Sequence, residues 1–531
     1  MIGTQNLGPL VVVSNRLPIT LQKTPDDEWE VLRGSGGLVT ALTPVLRKLG
    51  GLWVGWPGHD GVDPENLTEI LNQGCEESGY RMKPVSLSKA EIESYYVGFC
   101  NEVLWMLFHD FNSLCNFNPE YWISYQHVNG LFAEAIAESS SADHYVWVHD
   151  YHLLLVAQKL QDLNVKRRTG FYLHIPFPPI DEFTKLPWRG EILQAMLSYD
   201  LIGFQTMRDL RNFLQCVHML IPGVRLNDMR TLDDLKSILF RIRALVPGIH
   251  DNKIRAVTAV RIGQHVVRIG AFPISIDYHD FAVRASHESI SLEVHRMTEL
   301  LPHTQLILGI DRLDYSKGIP LRLSAFKMLH SKYPALRGRI SLIQVVIPSR
   351  LASSQYQTLK KEIDRLVGEI NGKYSTAGWT PVNYIFRSLS EEELLAYYRR
   401  CEIALVTPLK DGMNLVAKEF CACRIHEDGV LILSEFAGAA AQMGSESIVV
   451  NPFDVEGVAD AIYQAFTMPA AERKSRMKRL RANLKEQNIY QWVDDFLGVA
   501  IPKKIKVFPL VEDFVPSLYT KQVSVDGDAL P

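Results

Sequence analysis

Short runs of Val, Ile and Leu recur along the chain, each leading into a polar or glycine-bearing turn and then a segment with helical spacing. In the first half these runs are Leu10 to Ser14, Tyr145 to His149, Gly170 to Ile175 and Asp200 to Gln205. In the second half they are Gln305 to Ile310, Ser341 to Ile347, Glu402 to Thr407, Val430 to Ser434 and Ser447 to Val450. A strand that is apolar at successive positions is buried on both faces, and strands alternating with helices build a parallel sheet covered on both sides. The pattern appears twice without a sequence repeat, and 531 residues exceed what one hydrophobic core usually supports. The expected fold is therefore α/β, with two open parallel sheets facing each other. The crossover is expected in AFPISIDYHDF, Ala271 to Phe281, which gives units 1–275 and 276–500 followed by a tail, 501–531.

Composition narrows the function classes. A formal charge of -4 with interspersed signs offers no basic field for nucleic acid or an anionic membrane, so any phosphate binding has to be local. Seven scattered cysteines form neither a disulfide framework nor a zinc pattern, and reduced thiols in a cytoplasmic protein are expected. The N-terminal segment has no basic start and only a short apolar run, and no stretch reaches the roughly 18 apolar residues of a membrane span.

Facing parallel sheets bind ligands beyond the carboxyl ends of their strands, so the residues that follow each strand carry the chemistry. Leu10 to Ser14 leads to Asn15 and Arg16 and then to RGSGGLVTAL, where Gly36 and Gly37 permit close backbone approach at a helix start. The spacing is not the Gly-x-Gly-x-x-Gly of a dinucleotide fold. His149, Asp150, His152 and His174 gather at one rim in HDYHL and LHIPFPP, without the spacing of a zinc helix; His152 also suits a buried core position. In DRLDYSKGIP, Arg312 and Lys317 stand on one turn and suit the charges of a diphosphate. VVIPSR brings Arg350 to the same rim.

The densest stretch is TPLKDGMNLVAKEF, Thr407 to Phe420. Asp411 and Gly412 form its turn, Asn414 is the expected cap, and the N–H groups around Leu415 and Val416 form an anion-binding helix start. Glu419, one turn in, is placed to accept hydrogen bonds from ribose hydroxyls. Lys418 is expected to pair with Glu419 or with a neighbouring carboxylate. Sugar hydroxyls are expected at Asp411 and His174.

In their order, SNR, GSGGL, LWVGW, HDYHL, LHIPFP, RLDYSKGIP and TPLKDGMNLVAKEF resemble the trehalose-6-phosphate synthase family over about residues 8 to 495. The resemblance implies two Rossmann-like domains in a B-type glycosyltransferase fold, the first binding an acceptor and the second a nucleotide sugar. It implies retaining transfer of glucose, usually from UDP-glucose, to glucose 6-phosphate, with no cofactor required. Carried over by motif, Gly36, Gly37, Asp150, His174, Arg312, Lys317, Asp411, Leu415, Val416 and Glu419 look like the donor site, with His174, Arg312, Lys317 and Asp411 nearest the chemistry. Arg16, Trp56, Tyr96, Trp105 and Arg350 look like the acceptor site, the two arginines on the acceptor phosphate.

One segment departs from the family. Where it usually reads Trp-Pro-x-Phe-His-Tyr, this chain has WMLFHDF, with Met106 for Pro and Asp110 for Tyr. Together with YWISYQHVN and LPWR, that segment is similar to glucosylglycerol-phosphate synthases, whose acceptor is glycerol 3-phosphate. A carboxylate facing a phosphorylated acceptor would repel it, so Asp110 is expected to point away or to bind hydroxyls. A catalytically silent regulatory relative is a further alternative, although no diphosphate cation or Asp-Gly turn is missing. A phosphorylase-like pyridoxal phosphate enzyme would share the layout but not these motifs. The sequence is compatible with a homo-oligomer without specifying one.

Overall fold

The computed structural model describes residues 9–23, 29–33, 37–59, 79–226, 253–255, 257–300, 304–350, 354–500 and 510–514. Two main sheets organise them. The first has nine strands in the order Arg81–Pro84, Leu52–Trp56, Leu10–Arg16, Tyr145–His149, Arg168–Tyr172, Leu201–Phe204, His265–Ala271, Val257–Ile262 and Arg225–Leu226. Its first seven strands run parallel, and the last two continue antiparallel. The second sheet is wholly parallel, in the order Val382–Ile385, Ile340–Ile347, Gln305–Arg312, Ile403–Val406, Val430–Ser434 and Ile448–Val450.

The parallel part of each sheet reverses its strand order at a single place. In the first, the switch lies between Leu10–Arg16 and Tyr145–His149; in the second, between Gln305–Arg312 and Ile403–Val406. Connections leave a switch point in opposite directions and open a crevice at the carboxyl ends of the strands. Arg16 and Arg312 end two of these four strands, and Asp150 and the Thr407–Asp411 loop follow the other two, so topology alone brings them to the carboxyl-end crevices.

Nine apolar runs of the sequence are strands, with boundaries shifted by no more than a few residues. The 13-residue π-helix Ile92–Leu104 was not foreseen, nor was the antiparallel extension of the first sheet. The amphipathic stretch Leu226 to Asn252 has only Leu226 among the described residues, where it closes a short strand.

The last long helix, Ile489–Ala500, follows the second sheet in the chain but packs on the first. Phe496 stacks on Trp147 with ring centroids 4.5 Å apart, and the Trp492 indole N–H donates to the Phe272 carbonyl at 3.1 Å. Gly203 and Gly170 make room for it, because a Cβ at Gly203 would stand 2.7 Å from the Phe496 ring. Beyond the helix, Leu510–Glu512 pairs antiparallel with Lys253–Arg255, and Arg211 forms an ion pair with Asp513 at 2.6 Å. The chain thus crosses between the two bodies at residues 272–277 and again before Ile489. We propose that the units begin near 1–275 and 276–488, with the terminal helix joining the first.

Phe496 is fully buried, so Phe496→Ala should cost roughly 3–5 kcal/mol through lost transfer energy and the cavity left behind. A thermal melt reads this as a clear drop in Tm; an unchanged Tm would mean that the returning helix does not anchor the first sheet.

Candidate active site

The two rims meet backbone to backbone. A Cβ built on Gly412 would lie 2.0 Å from the His174 carbonyl oxygen, and one on Gly438 would lie 1.9 Å from the Gly412 oxygen. Only glycine fits such approaches, and they hold the Asp411 turn against the end of the first sheet. From the other side, Asp411 N–H donates to the Phe436 carbonyl at 3.2 Å and Leu409 N–H to the Ser316 carbonyl at 2.7 Å. The loop therefore has little freedom to drift.

On the second domain's side, Lys317 donates to Asp411 Oδ2 at 2.6 Å, and Asn414 Nδ2 donates to the same oxygen at 3.1 Å. Burial alone would raise the Asp411 carboxyl, but Lys317 and Asn414 outweigh it and hold the group below its ordinary value. Asn414 also caps the helix Leu415–Cys423, its Oδ1 accepting from Ala417 N–H at 3.2 Å. Leu415 and Val416 form the first turn of that helix. Glu419 is half-buried one turn later and accepts from the Tyr398 hydroxyl at 2.7 Å. Burial raises its pKa.

Lys418 behaves differently from the sequence expectation. Among the described residues it bonds neither Glu419 nor another carboxylate, but is fully buried and donates to the Ile274 carbonyl at 2.6 Å and to Gln442 Oε1 at 2.7 Å. Its helix turns it away from Glu419 and into the crossover. Burial lowers its pKa to about 7. The residue ties the helix Leu415–Cys423 to the crossover segment.

On the first domain's side, Asp150 has φ 75° and ψ 166°, a region that non-glycine residues rarely occupy. The carboxylate compensates by accepting backbone hydrogen bonds, including His174 N–H at 3.1 Å. Burial pushes its pKa up to about 6 despite those bonds and the nearby Arg312 charge. His174 Nε2 lies 3.1 Å from His149 Nδ1, and burial lowers both imidazoles, His174 to about 3, so both are neutral at pH 7. His149 Nε2 is buried without a partner, which favours placing the shared proton on His149 Nδ1 and leaves His174 to carry its own on Nδ1.

A second cationic cluster is lined with aromatic rings. Arg16 lies over Trp56 at 3.9 Å and over Tyr96 at 5.6 Å, while Arg350 and Arg312 lie over Trp105 at 4.6 Å and 5.8 Å. Tyr96 stacks on His152 at 5.9 Å, so His152 is part of this wall. Arg350 is held by the Tyr356 hydroxyl at 2.7 Å and by Asp314 at 3.4 Å. His109 backs Trp105, with its Nδ1 2.8 Å from the Trp105 carbonyl oxygen and ring centroids 4.1 Å apart.

All five expected acceptor residues thus converge, as do Asp150, His174, Lys317, Asp411, Leu415 and Val416 around the Gly412 contact. Arg312 stands between the two groups. Gly37 begins the helix Gly37–Leu49; Gly36 lies outside the described residues. Sequence reasoning missed the supports Asp314, Tyr356 and His109. Asp314 was legible inside RLDYSKGIP as an acid between two cations, but Tyr356 and His109 had no local signal. Among the described residues, no cluster of His, Cys, Asp or Glu could hold a metal ion, and no helix is long and apolar enough to cross a membrane.

Two Rossmann-like domains with a cation-lined crevice between their switch points define a B-type glycosyltransferase. Residues 8–500 match glycosyltransferase family 20, and the chain belongs to that family. It is 40% identical over 490 residues to the trehalose-6-phosphate synthase of Mycobacterium bovis, covering 92% of this chain and 93% of that one. A Burkholderia xenovorans α,α-trehalose-phosphate synthase (UDP-forming) in complex with glucose-6-phosphate superposes with a TM-score of 0.78 at 31% identity, covering 92% and 99% of the two chains. An E. coli structure bound with UDP-2-fluoro glucose gives 0.77 at 33% identity, covering 93% and 98%.

The raised Asp150 carboxyl has a defined consequence for stability. Its folded value near 6 exceeds the unfolded value near 3.8, so its favourable contribution is complete below about pH 4 and is lost as pH rises through 6. Relative to Asp150→Asn, the ligand-free wild type should lose roughly 1–3 kcal/mol between pH 4 and 7. Parallel denaturation-midpoint profiles for the two proteins would contradict that assignment.

Proposed function

We propose that this chain transfers glucose with retention from UDP-glucose to glucose 6-phosphate, forming α,α-trehalose 6-phosphate. The observation that carries this reading is one crevice with two separately supported cation clusters. Lys317 beside the Asp411 turn and the capped helix suits a diphosphate, and Arg16 with Arg350 on an aromatic wall suits a second phosphate. The relatives named above fit both halves, one bound to glucose-6-phosphate and another to UDP-2-fluoro glucose. A related trehalose-6-phosphate synthase structure concerns glycosyl transfer with retention.

In this reading Arg312, Lys317 and the N–H groups at Leu415 and Val416 stabilise the charge that grows on the departing diphosphate. In the free protein Lys317 is neutralised by Asp411, and an arriving diphosphate shares that cation. Asp411 and the Nδ1–H of His174 hold glucosyl hydroxyls, and Glu419 takes the ribose. Asp150 fixes the His174 backbone by its hydrogen bond, and Gly37 opens a helix of the first domain that suits an anion of the donor. The leaving phosphate helps deprotonate the acceptor hydroxyl on the same face, so no carboxylate nucleophile is needed. Holding the two substrates in register supplies much of the remaining acceleration.

Glycerol 3-phosphate is the second reading, and the engagement of Asp110 Oδ1 by Lys410 at 2.6 Å weighs against Asp110 serving chiefly to bind its hydroxyls. A cytoplasmic setting without a cofactor fits the reading, and six described cysteines are unpaired.

Purified protein should release UDP from UDP-glucose with glucose 6-phosphate and much less with glycerol 3-phosphate, and NMR should show an α,α-1,1 linkage. Preference for glycerol 3-phosphate would overturn the acceptor assignment. Lys317→Ala should lower kcat by about 10²–10³, the scale of losing one contact to developing charge; wild-type turnover would remove Lys317 from the mechanism.

A further inference from the structure

Asp110 stands where the family usually has tyrosine, on the first domain, and its partner Lys410 stands on the second. The pair spans 300 residues of sequence and is 2.6 Å long. The segment on each side is part of the site. Asp110 follows His109, which supports Trp105, the ring beneath Arg312 and Arg350. Lys410 immediately precedes Asp411, the partner of Lys317.

Each end is also held within its own domain. Asp110 has φ 68°, a left-handed conformation that aspartate tolerates better than bulkier residues. Its N–H donates to the Leu107 carbonyl, and Phe111 N–H donates to the Met106 carbonyl at 2.8 Å. These bonds fasten the turn to the short helix Trp105–Phe108. Lys410 is largely buried between Leu409, bound to the Ser316 carbonyl, and Asp411, bound to Phe436. Its other charged neighbours are Arg208, which repels it, and Asp209, which attracts it. Asp209 already accepts from Phe177 N–H and Thr206 Oγ1, so Asp110 is the carboxylate that bonds Lys410 directly. Nearby, Phe111 and Tyr315 touch across the same boundary at 6.0 Å.

We propose that Asp110 and Lys410 form an interdomain latch that positions the Trp105 wall over the acceptor phosphate site. The two domains cannot separate without breaking the pair, so it favours the closed arrangement before substrate arrives. Asp110 is a positioning residue: its side chain is half exposed, and its charge is balanced by the largely buried Lys410. A protein in which only part of the population is closed binds its ligand more weakly by that fraction, whereas saturating ligand restores the closed form. The latch therefore acts on KM more than on kcat. The proposal rests on the functional reading above, and its test separates the two.

The test compares wild type with Asp110→Asn, Asp110→Glu, Lys410→Gln and the Asp110→Asn/Lys410→Gln double variant. Steady-state UDP release is run with glucose 6-phosphate, and thermal midpoints are measured without ligand. Each neutralising variant should raise the acceptor KM by roughly fivefold to thirtyfold with kcat kept within about threefold. The double variant should be no worse than the poorer single, in both KM and midpoint, and Asp110→Glu should recover part of the loss. Unchanged KM in Asp110→Asn, multiplicative losses in the double variant, or a fall confined to kcat would overturn the latch. Wild-type silence with both substrates would instead overturn the functional reading, while the midpoint cycle, additive or not, would still decide whether the pair is coupled.

Discussion

The structure depends on the approach of Gly412 to the His174 carbonyl. Two sheets could face each other at many separations, but here the backbones of the rims are in contact, and Gly438 extends the stack one layer deeper. No side chain intervenes because none fits. The consequence is chemical: Asp411, one residue away, is fixed beside Lys317, and His174 presents its imidazole at the same seam. Groups from separate folding units are held in register by this main-chain contact, to which the Asp110–Lys410 pair adds a side-chain tie at the acceptor side.

Around that seam the charges are arranged by support rather than by number. Arg350 is oriented by Tyr356 and Asp314, and Arg16 by the faces of Trp56 and Tyr96. Such planar cations keep their charge when partly desolvated and remain available to a phosphate. Lys317 is instead a point charge balanced by Asp411. The buried His149 and the half-buried His174, both neutral, add a polar donor to the site without adding another positive charge. Lys418 uses its ammonium for architecture, bonding the Ile274 carbonyl where the chain passes between domains.

The legible parts of the fold were those written locally. Buried parallel strands are continuous apolar runs, so the Tyr145–His149 and Val430–Ser434 strands could be read directly from the residues. Ser390 and Glu393 form the capping box that their spacing implies, and Asn414 caps its helix. Site residues that follow strands at the switch points were equally readable, because their position is a consequence of topology. What could not be read was set by distant partners. The return of Ile489–Ala500 to the first sheet depends on Gly203 and Trp147, far away in sequence. Lys418 and Glu419 are adjacent in sequence yet point to different neighbours, and Asp110 meets a lysine 300 residues on. The π-helix Ile92–Leu104 carries Tyr96 into the site with a winding that no ordinary helical period announces.

The central claim is that one crevice holds a diphosphate and a second phosphate on separate cation clusters. The most direct measurement is a crystal structure of the protein with UDP and glucose 6-phosphate bound together. The account predicts the diphosphate against Lys317 and the Leu415–Val416 helix start, and the acceptor phosphate between Arg16 and Arg350, with Trp105 along its flank. A sugar phosphate bound elsewhere, or a diphosphate that leaves Lys317 paired only with Asp411, would contradict it.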